Sequence, residues 1–188
     1  DQLYNGHSGD EITSTRGAKK CGVDKLPPIV TRGVLLDALK QHGTPLPSGY
    51  SIGVGQLQAA AAAAEIELMS GDAVIIRTGW LEQQTGKHGH DINFNEEAGI
   101  DVEAALWLAT SGVAMIGADN FAIEAMPFPE GTVFPVHQRL IRDYGISLLE
   151  GMALTAFAEL GIYEFLFVAA PLPILGGTGS PLTPLAIY

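Results

Sequence analysis

The sequence is poor in cysteine and in basic residues, and both shortages exclude classes of protein. Cys21 is the single cysteine, so the chain has no internal disulfide framework and no cysteine-based zinc cluster. Ten Lys and Arg face 21 Asp and Glu, which gives a formal net charge of −11. Nucleic acids and anionic membranes bind clustered basic side chains, so neither is expected as a partner. No apolar run reaches the roughly 18 to 20 residues of a membrane span, and we expect a cytoplasmic protein.

Apolar sequence, in contrast, is abundant. Of the 188 residues, 47% are hydrophobic and 16% are charged, which is typical of a globular domain and unlike a disordered tail. A chain of this length buries about two thirds of its extended surface in one core. We therefore predict a single domain over residues 1–188.

Segments with strand and helix patterns alternate along the chain. Short β-branched and aliphatic runs such as residues 29–37 predict buried strands. The alanine run at 59–64 predicts a helix that continues to about residue 69, and Asp101 can cap a second helix. The polar stretch at 81–99 predicts a long loop. Strands and helices that interleave through glycine-rich connectors predict the α/β class with a mixed sheet.

One helix and the strand after it carry a histidine and a glutamate that could bind a metal. Pro135 favours a helix start, which places His137 in the first turn, where the positive helix end favours the neutral imidazole that a metal requires. In "GISLLEG" the two-residue period of a strand puts Glu150 on the inward face with Ile146 and Leu148, where a carboxylate needs a partner. Two ligands are fewer than a metal site requires, so a salt bridge at the strand end stays open as the alternative.

Three further residues are candidates for substrate binding, each with a structural alternative. Asp119 ends a buried strand, where α/β proteins often place sites, although it could also cap a turn. Trp80 follows another strand end and could line a pocket for a flat substrate or belong to the core. His7 lies in an irregular opening loop and could instead make a structural hydrogen bond. His88 and His90 fit a solvated loop.

Eight sequence blocks, taken in order, resemble the metal-dependent cyclase-like hydrolases that include bacterial kynurenine formamidase and isatin hydrolase. The blocks are "LYNG", "KLPPIVTRGVLLD", "GDAVIIRTGW", "GADN", "PVHQRLI", "LLEGM", "YEFLFVAAPL" and "GGTGSP". They extend over nearly the whole chain. The ordered set is much more specific than any single block.

The resemblance implies a swivelling β/β/α-type fold, a homo-oligomer and a divalent metal, zinc or manganese. It also implies that His137 and Glu150 are metal ligands, joined by a histidine-rich motif of the form H-x-G-T-H-x-D-x-P-x-H. That motif is absent from this sequence. In the family it precedes the counterpart of "LYNG". We therefore expect it upstream of Asp1, together with the remaining ligands and the general base.

The reaction that the resemblance implies is hydrolysis of a C–N amide or lactam bond in a small-molecule substrate, aromatic or not, by metal-activated water. Two alternatives stay open. The first is a metal-free binding or scaffold protein on the same fold, which the metal content per chain distinguishes from a hydrolase. The second is a family member that acts on a non-aromatic cyclic substrate, and the pocket residues that would separate it are not resolved by one sequence.

Overall fold

The computed structural model describes residues 1–85 and 92–188. Its strands are β1 (Ile12–Thr13), β2 (Gly17–Ala18), β3 (Ile29–Asp37), β4 (Ser51–Ile52), β5 (Ala73–Arg77), β6 (Gly99–Ile100), β7 (Met115–Ala118), β8 (Ser147–Leu149), β9 (Glu164–Ala169) and β10 (Leu185–Ile187). Its α-helices are α1 (Ala38–His42), α2 (Val54–Ala63), α3 (Trp80–Gln84), α4 (Val102–Thr110), α5 (Pro135–His137) and α6 (Thr155–Leu160). Among the described residues, no helix has the length and apolar character needed to cross a bilayer.

A six-stranded sheet forms the centre, with the strand order β10-β9-β3-β5-β7-β8. The neighbours β3, β5, β7 and β8 run parallel to one another, whereas β9 is antiparallel to β3 and β10 is antiparallel to β9. Two-stranded pairs, β1 with β2 and β4 with β6, lie outside this sheet. The predicted α/β class with a mixed sheet is confirmed.

The two faces of the sheet are covered differently. Because side chains alternate along a strand, β3 sends Val34 and Leu36 to one face and Leu35 to the other. The first face packs against helical residues such as Leu57 of α2 and Leu108 of α4, both fully buried. Burial of each such aliphatic side chain stabilises the fold by about 1.5–3 kcal/mol. The second face carries a smaller cluster, covered by α6 and by the segment that leads into β10.

The alanine-rich helix is shorter than predicted. It ends at Ala63, and Glu65 adopts a left-handed conformation with φ 55°, which terminates the helical path. Ile66 and Leu68 then pack against the helix-covered core from the extended chain that follows. Burial of these two apolar side chains therefore overrides the helix propensity of the segment.

The predicted loop at 81–99 is wrong at its beginning. Helix α3 includes Leu81 through Gln84 after Gly79 turns the chain with φ 80°. Glu82 holds this helix against β5 by accepting hydrogen bonds from Nε and Nη2 of Arg77, at 2.8 and 3.0 Å. His88 and His90, for which the sequence predicts a solvated loop, lie outside the described residues.

The glycine-rich "GGTGSP" segment is a turn in close contact with the opening loop. Gly17 has φ 65°, and a Cβ atom placed on it would lie 2.2 Å from the carbonyl oxygen of Gly176. The same oxygen accepts a hydrogen bond from the N–H of Ala18 at 2.8 Å. The backbones can approach this closely because neither glycine has a side chain.

One end of the sheet presents an exposed aliphatic strip. It consists of Val30 on β3, Leu166 on β9, and Leu185 and Ile187 on β10, and these side chains are 44% to 61% exposed. The pairing of Ile187 with Leu166 places the side chains on one face, beyond the helices that cover the middle of the sheet. We call this set the aliphatic strip.

Candidate functional site

Polar side chains collect where the four parallel strands end. Asp37 and Arg77 are the last residues of β3 and β5, and Asp119 and Glu150 directly follow β7 and β8. Arg77 Nη1 donates to both carboxylate oxygens of Asp37, at 3.1 and 3.0 Å, and its other nitrogens bind Glu82. The β3–β5 half of this edge is therefore a closed ionic network. The β7–β8 half, around Glu150, contains the candidate site.

Helix α5 brings a histidine to this half of the edge. Phe134 has a left-handed backbone (φ 46°, ψ 54°) and Pro135 occupies the first helical position, where a missing N–H costs nothing. The helical path continues as a π-helical turn over Gln138–Asp143 and ends before Gly145, which has φ 68°. The predicted helix start at Pro135 is confirmed. His137 consequently lies in the first turn.

His137 is held between two glutamates. Its Nδ1 is 2.7 Å from Oε1 of Glu124, and its Nε2 is 3.2 Å from Oε1 of Glu150. The ring of Phe134 packs edge-on against the imidazole, with centroids 4.9 Å apart. The structure thus brings together the two residues that the sequence nominated as ligands, and it adds Glu124.

The two carboxylates change the acidity of the imidazole. Burial lowers the pKa of His137, but the hydrogen bonds to Glu124 and Glu150, together with their negative charges, outweigh burial and raise the pKa to about 9. The predicted preference for neutral imidazole at the helix start is therefore wrong for the metal-free protein at neutral pH. Each ring nitrogen has a carboxylate oxygen within 3.2 Å, and these two carboxylates raise the pKa of the imidazole more than the partial positive charge of the helix end lowers it.

Glu150 lies beyond its strand and does not face the core. Ile146 and Leu148 pack into the same core cluster, as their spacing predicts. Strand β8 ends at Leu149, however, and the chain turns at Gly151, whose N–H donates to the carbonyl of Asn120 at 2.9 Å. The Glu150 side chain is 38% exposed. The predicted inward orientation is therefore wrong, because the two-residue alternation stops one position before the carboxylate.

Asp119 is buried and binds backbone. Its Oδ1 accepts hydrogen bonds from N and Oγ1 of Thr78, at 2.7 and 2.8 Å, and its Oδ2 accepts from the N–H of Gly79 at 2.7 Å. Burial raises the pKa of Asp119, although these hydrogen bonds lower it. The alternative of a turn cap is thus realised here. A role in substrate binding stays a prediction.

The sequence reasoning missed two more buried polar side chains, Asn120 on the turn after β7 and Glu97 just before β6. Asn120 donates to the carbonyl of Ala98 at 2.8 Å and accepts from the N–H of Ile123 at 3.0 Å. Glu97, fully buried, accepts from the N–H groups of Phe121 and Ala122, at 2.9 and 2.7 Å. These contacts fix the turn that leads to Glu124. Only the apolar setting of "GADNFAIEAM" could have signalled that its polar residues are buried.

Burial raises the pKa of Glu97 most. The hydrogen bonds from the backbone N–H groups of Phe121 and Ala122 lower it, and the negative charges of Glu150 and Asp119 raise it further, to about 7. Glu97 is therefore a carboxyl group that gains or loses its proton near neutral pH, close to the candidate site.

Trp80 belongs to an aromatic cluster in which other rings are exposed. The indole is 7% exposed, its Nε1 donates to the carbonyl of Glu96 at 3.3 Å, and its ring centroid lies 5.9 Å from that of Phe94. Phe94 in turn contacts Phe121 edge-to-face at 5.0 Å, and these two rings are 42% and 45% exposed. The stacking role of Trp80 stays a prediction. The surfaces open to a ligand are those of Phe94 and Phe121.

His7 lies between two 3₁₀ turns of the opening loop and is half-buried. Its carbonyl accepts a hydrogen bond from the N–H of Leu3 at 2.8 Å. None of the contacts described for the candidate site includes the His7 side chain. Its proposed part in substrate binding stays a prediction.

A cavity of about 330 Å³ opens beside Glu150. Its walls come from the thinly covered face of the sheet and include Leu35, Ile75, Phe165 and Phe167. Among the described residues that line it, Glu150 is the only charged one. The cavity therefore combines apolar walls with one carboxylate at the strand ends.

The donor atoms of His137 and Glu150 suit a divalent metal. Zinc bonds to nitrogen and oxygen of about 2.0–2.2 Å at a tetrahedral angle place two ligand atoms about 3.4 Å apart. The separation of Nε2 and Oε1 is 3.2 Å. No group of three His, Cys, Asp or Glu that could hold a metal occurs within residues 1–85 and 92–188. The described residues thus fit part of a metal site.

Comparison with known proteins decides the family. The model of the Cyclase family, described as "Putative cyclase", matches residues 6–125. The chain belongs to the Cyclase family. The predicted relationship to cyclase-like hydrolases is confirmed. No curated protein sequence matches the chain.

Solved structures share the Cyclase family fold. One described as a novel cyclase is 34% identical with a TM-score of 0.90, and the match covers 100% of this chain and 63% of that one. Isatin hydrolase A from Ralstonia solanacearum is 24% identical with a TM-score of 0.72, covering 89% and 64%. A "potential metal-dependent hydrolase with cyclase activity" is 22% identical with a TM-score of 0.58, covering 84% and 65%. The chain thus spans less than two thirds of each of these proteins.

Proposed function

We propose that this Cyclase family chain provides part of a metal-dependent hydrolase that cleaves a C–N amide or lactam bond in a small substrate. The observation that carries the proposal is the contact between His137 and Glu150, whose donor atoms lie 3.2 Å apart. The names of the structural neighbours, an isatin hydrolase and a potential metal-dependent hydrolase, agree with this reaction class.

Nε2 of His137 and Oε1 of Glu150 would hold a divalent ion, zinc or manganese. When bound, the ion supplies Lewis acidity, which polarises a carbonyl and makes water a better nucleophile at neutral pH. The remaining ligands, in this proposal, lie outside the described residues. The histidine-rich motif expected before "LYNG" stays a prediction. So do the choice between zinc and manganese and the homo-oligomer.

The cavity beside Glu150 would take the apolar body of the substrate. Its aliphatic and phenylalanine walls exclude water and favour an uncharged ring or chain. The net charge of −11 disfavours a polyanionic substrate. The exposed rings of Phe94 and Phe121 offer a second apolar surface for a planar group. We therefore propose a small, mainly apolar amide or lactam as the substrate.

The test combines metal content with hydrolysis. The 188-residue chain and the product of the complete reading frame are purified with zinc or manganese, and the metal per chain is measured by elemental analysis. Both forms are assayed with formyl-anilides, isatin-like lactams and simple lactones. We expect stoichiometric metal and hydrolysis in at least the longer form, and a loss of at least about 100-fold in metal affinity for His137→Ala and Glu150→Ala.

His42→Ala and Glu67→Ala are matched controls, since both side chains are exposed and distant in sequence from the site. They should leave metal content and hydrolysis unchanged. If neither form binds metal, the hydrolase is ruled out and the metal-free binding or scaffold protein is favoured. Hydrolysis of lactones alone would favour a family member with a non-aromatic cyclic substrate.

A further inference from the structure

Glu124 makes more contacts with helix α5 than a helix cap requires. The side chain is 2% exposed. Its Oε2 accepts from the N–H of Val136 at 3.0 Å, and its Oε1 accepts from the N–H of His137 at 3.1 Å. These two bonds satisfy N–H groups that lack partners in a first helical turn. The third contact, from Oε1 to Nδ1 of His137 at 2.7 Å, is the shortest and serves the imidazole.

The backbone of Glu124 is itself held firmly. Strand β6 passes so close that a Cβ atom on Gly99 would lie 2.3 Å from the carbonyl carbon of Glu124. On the other side, Asn120 accepts the N–H of Ile123, the residue before Glu124, at 3.0 Å. Packing and hydrogen bonds therefore fix the backbone at Glu124 independently of its contacts with His137.

We infer that Glu124 is a positioning residue, which fixes the ring orientation and the tautomer of His137. When Nδ1–H donates to Glu124, the lone pair of the neutral ring is on Nε2, the nitrogen that points to Glu150. A carboxylate partner on one ring nitrogen also makes the other nitrogen a stronger donor to a metal. This inference rests on the proposed function, because Nε2 is the proposed ligand atom.

Glu97→Gln provides a matched control for Glu124→Gln. Both glutamates are buried and both accept two consecutive backbone N–H groups, Glu97 those of the turn after β7 and Glu124 those at the start of α5. Glu124 alone of the two contacts His137. A purely structural role for Glu124 therefore predicts the same outcome for both variants.

The experiment has two readouts, both with the complete protein. The ¹⁵N shifts of the His137 ring are recorded without metal through a pH titration up to the plateau at which the ring is neutral, and the affinities for zinc and manganese are measured by calorimetry. Glu124→Gln should shift the tautomer toward Nε2–H and weaken metal binding by about 10- to 100-fold. Glu97→Gln should leave the tautomer unchanged and alter the affinity by less than about threefold.

Wild-type tautomer and affinity in Glu124→Gln would overturn the inference, and so would equal changes in both variants. The tautomer readout needs no bound metal. If wild-type protein binds neither ion while Glu124→Gln still changes the tautomer, the proposed function fails and the positioning role holds.

Discussion

Glu97 and Glu124 each hold a different segment of backbone, the turn after β7 and the start of α5, and they also differ in their other contacts. Each buried carboxylate accepts two backbone N–H groups. Burial raises the pKa of Glu97, and the nearby negative charges of Glu150 and Asp119 raise it further, whereas Glu124 binds the imidazole of His137. Similar burial therefore gives one carboxylate a backbone role and the other an additional link to the candidate site.

The largest difference is expected in alanine variants. Glu124→Ala leaves two N–H groups and the imidazolium without their buried acceptor, and should lower the free energy of unfolding by about 3–5 kcal/mol. Glu97→Ala leaves only two N–H groups and should cost about 2–3 kcal/mol. Urea denaturation at pH 7 measures both values. Equal losses would mean that the imidazole contact adds nothing to stability.

The next effect is the pH dependence that His137 adds to the metal-free protein. Its pKa is about 9 in the folded protein, against 6.5 for an ordinary histidine side chain. The folded state thus holds a proton that the unfolded chain releases between these pH values, so the free energy of unfolding falls as pH rises. The stabilisation is complete below pH 6.5 and disappears above pH 9, a change of up to about 3 kcal/mol.

The measurement is urea denaturation at half-unit steps from pH 6 to 10. His137→Gln should remove the slope in this window. A wild-type slope that persists in the variant would assign it to another group.

Glu97 should make the free energy of unfolding depend on pH in a lower pH range than His137 does. Its pKa rises from the ordinary glutamate value of 4.5 to about 7 in the folded protein, so the folded state again binds the extra proton and stability falls as pH rises between these values. The expected change is about 2–3 kcal/mol. Glu97→Gln should remove the pH dependence of the free energy of unfolding in this range. The pH dependence that His137 causes should stay unchanged. Loss of both slopes would show that the two groups titrate as one unit.

The smallest effect concerns Asp101, a carboxylate that caps a helix and otherwise accepts a long hydrogen bond from Oγ of Ser51 at 3.5 Å. Asp101 accepts the N–H of Ala104 at 2.7 Å at the start of α4, and its side chain is half-buried. Asp101→Ala should cost about 1 kcal/mol, and Asp101→Ser should restore most of it. Thermal unfolding measures both. A loss as large as that of Glu97→Ala would contradict the link between the burial of a carboxylate and the cost of its removal.

The sequence predicts the pair of site residues better than the groups around them. A helix start at Pro135 and a strand before Glu150 are local patterns. The structure has a helix that begins at Pro135 and a strand that ends at Leu149. Glu97 and Glu124 lie in irregular segments without periodicity. Their donors are 12 to 25 positions away, so only the folded chain brings them together. Helix α3 was missed because a single positive-φ glycine, Gly79, creates its start.

The aliphatic strip has a practical consequence for handling the protein. The strip includes exposed side chains of the edge strand β10, so it favours stacking and strand addition between molecules. The net charge of −11 opposes this through long-range repulsion. Salt at 0.1 M shortens the range of that repulsion to about 10 Å. Concentrated stocks should therefore stay clear longest in low-salt buffer well above the isoelectric point of about 4.7.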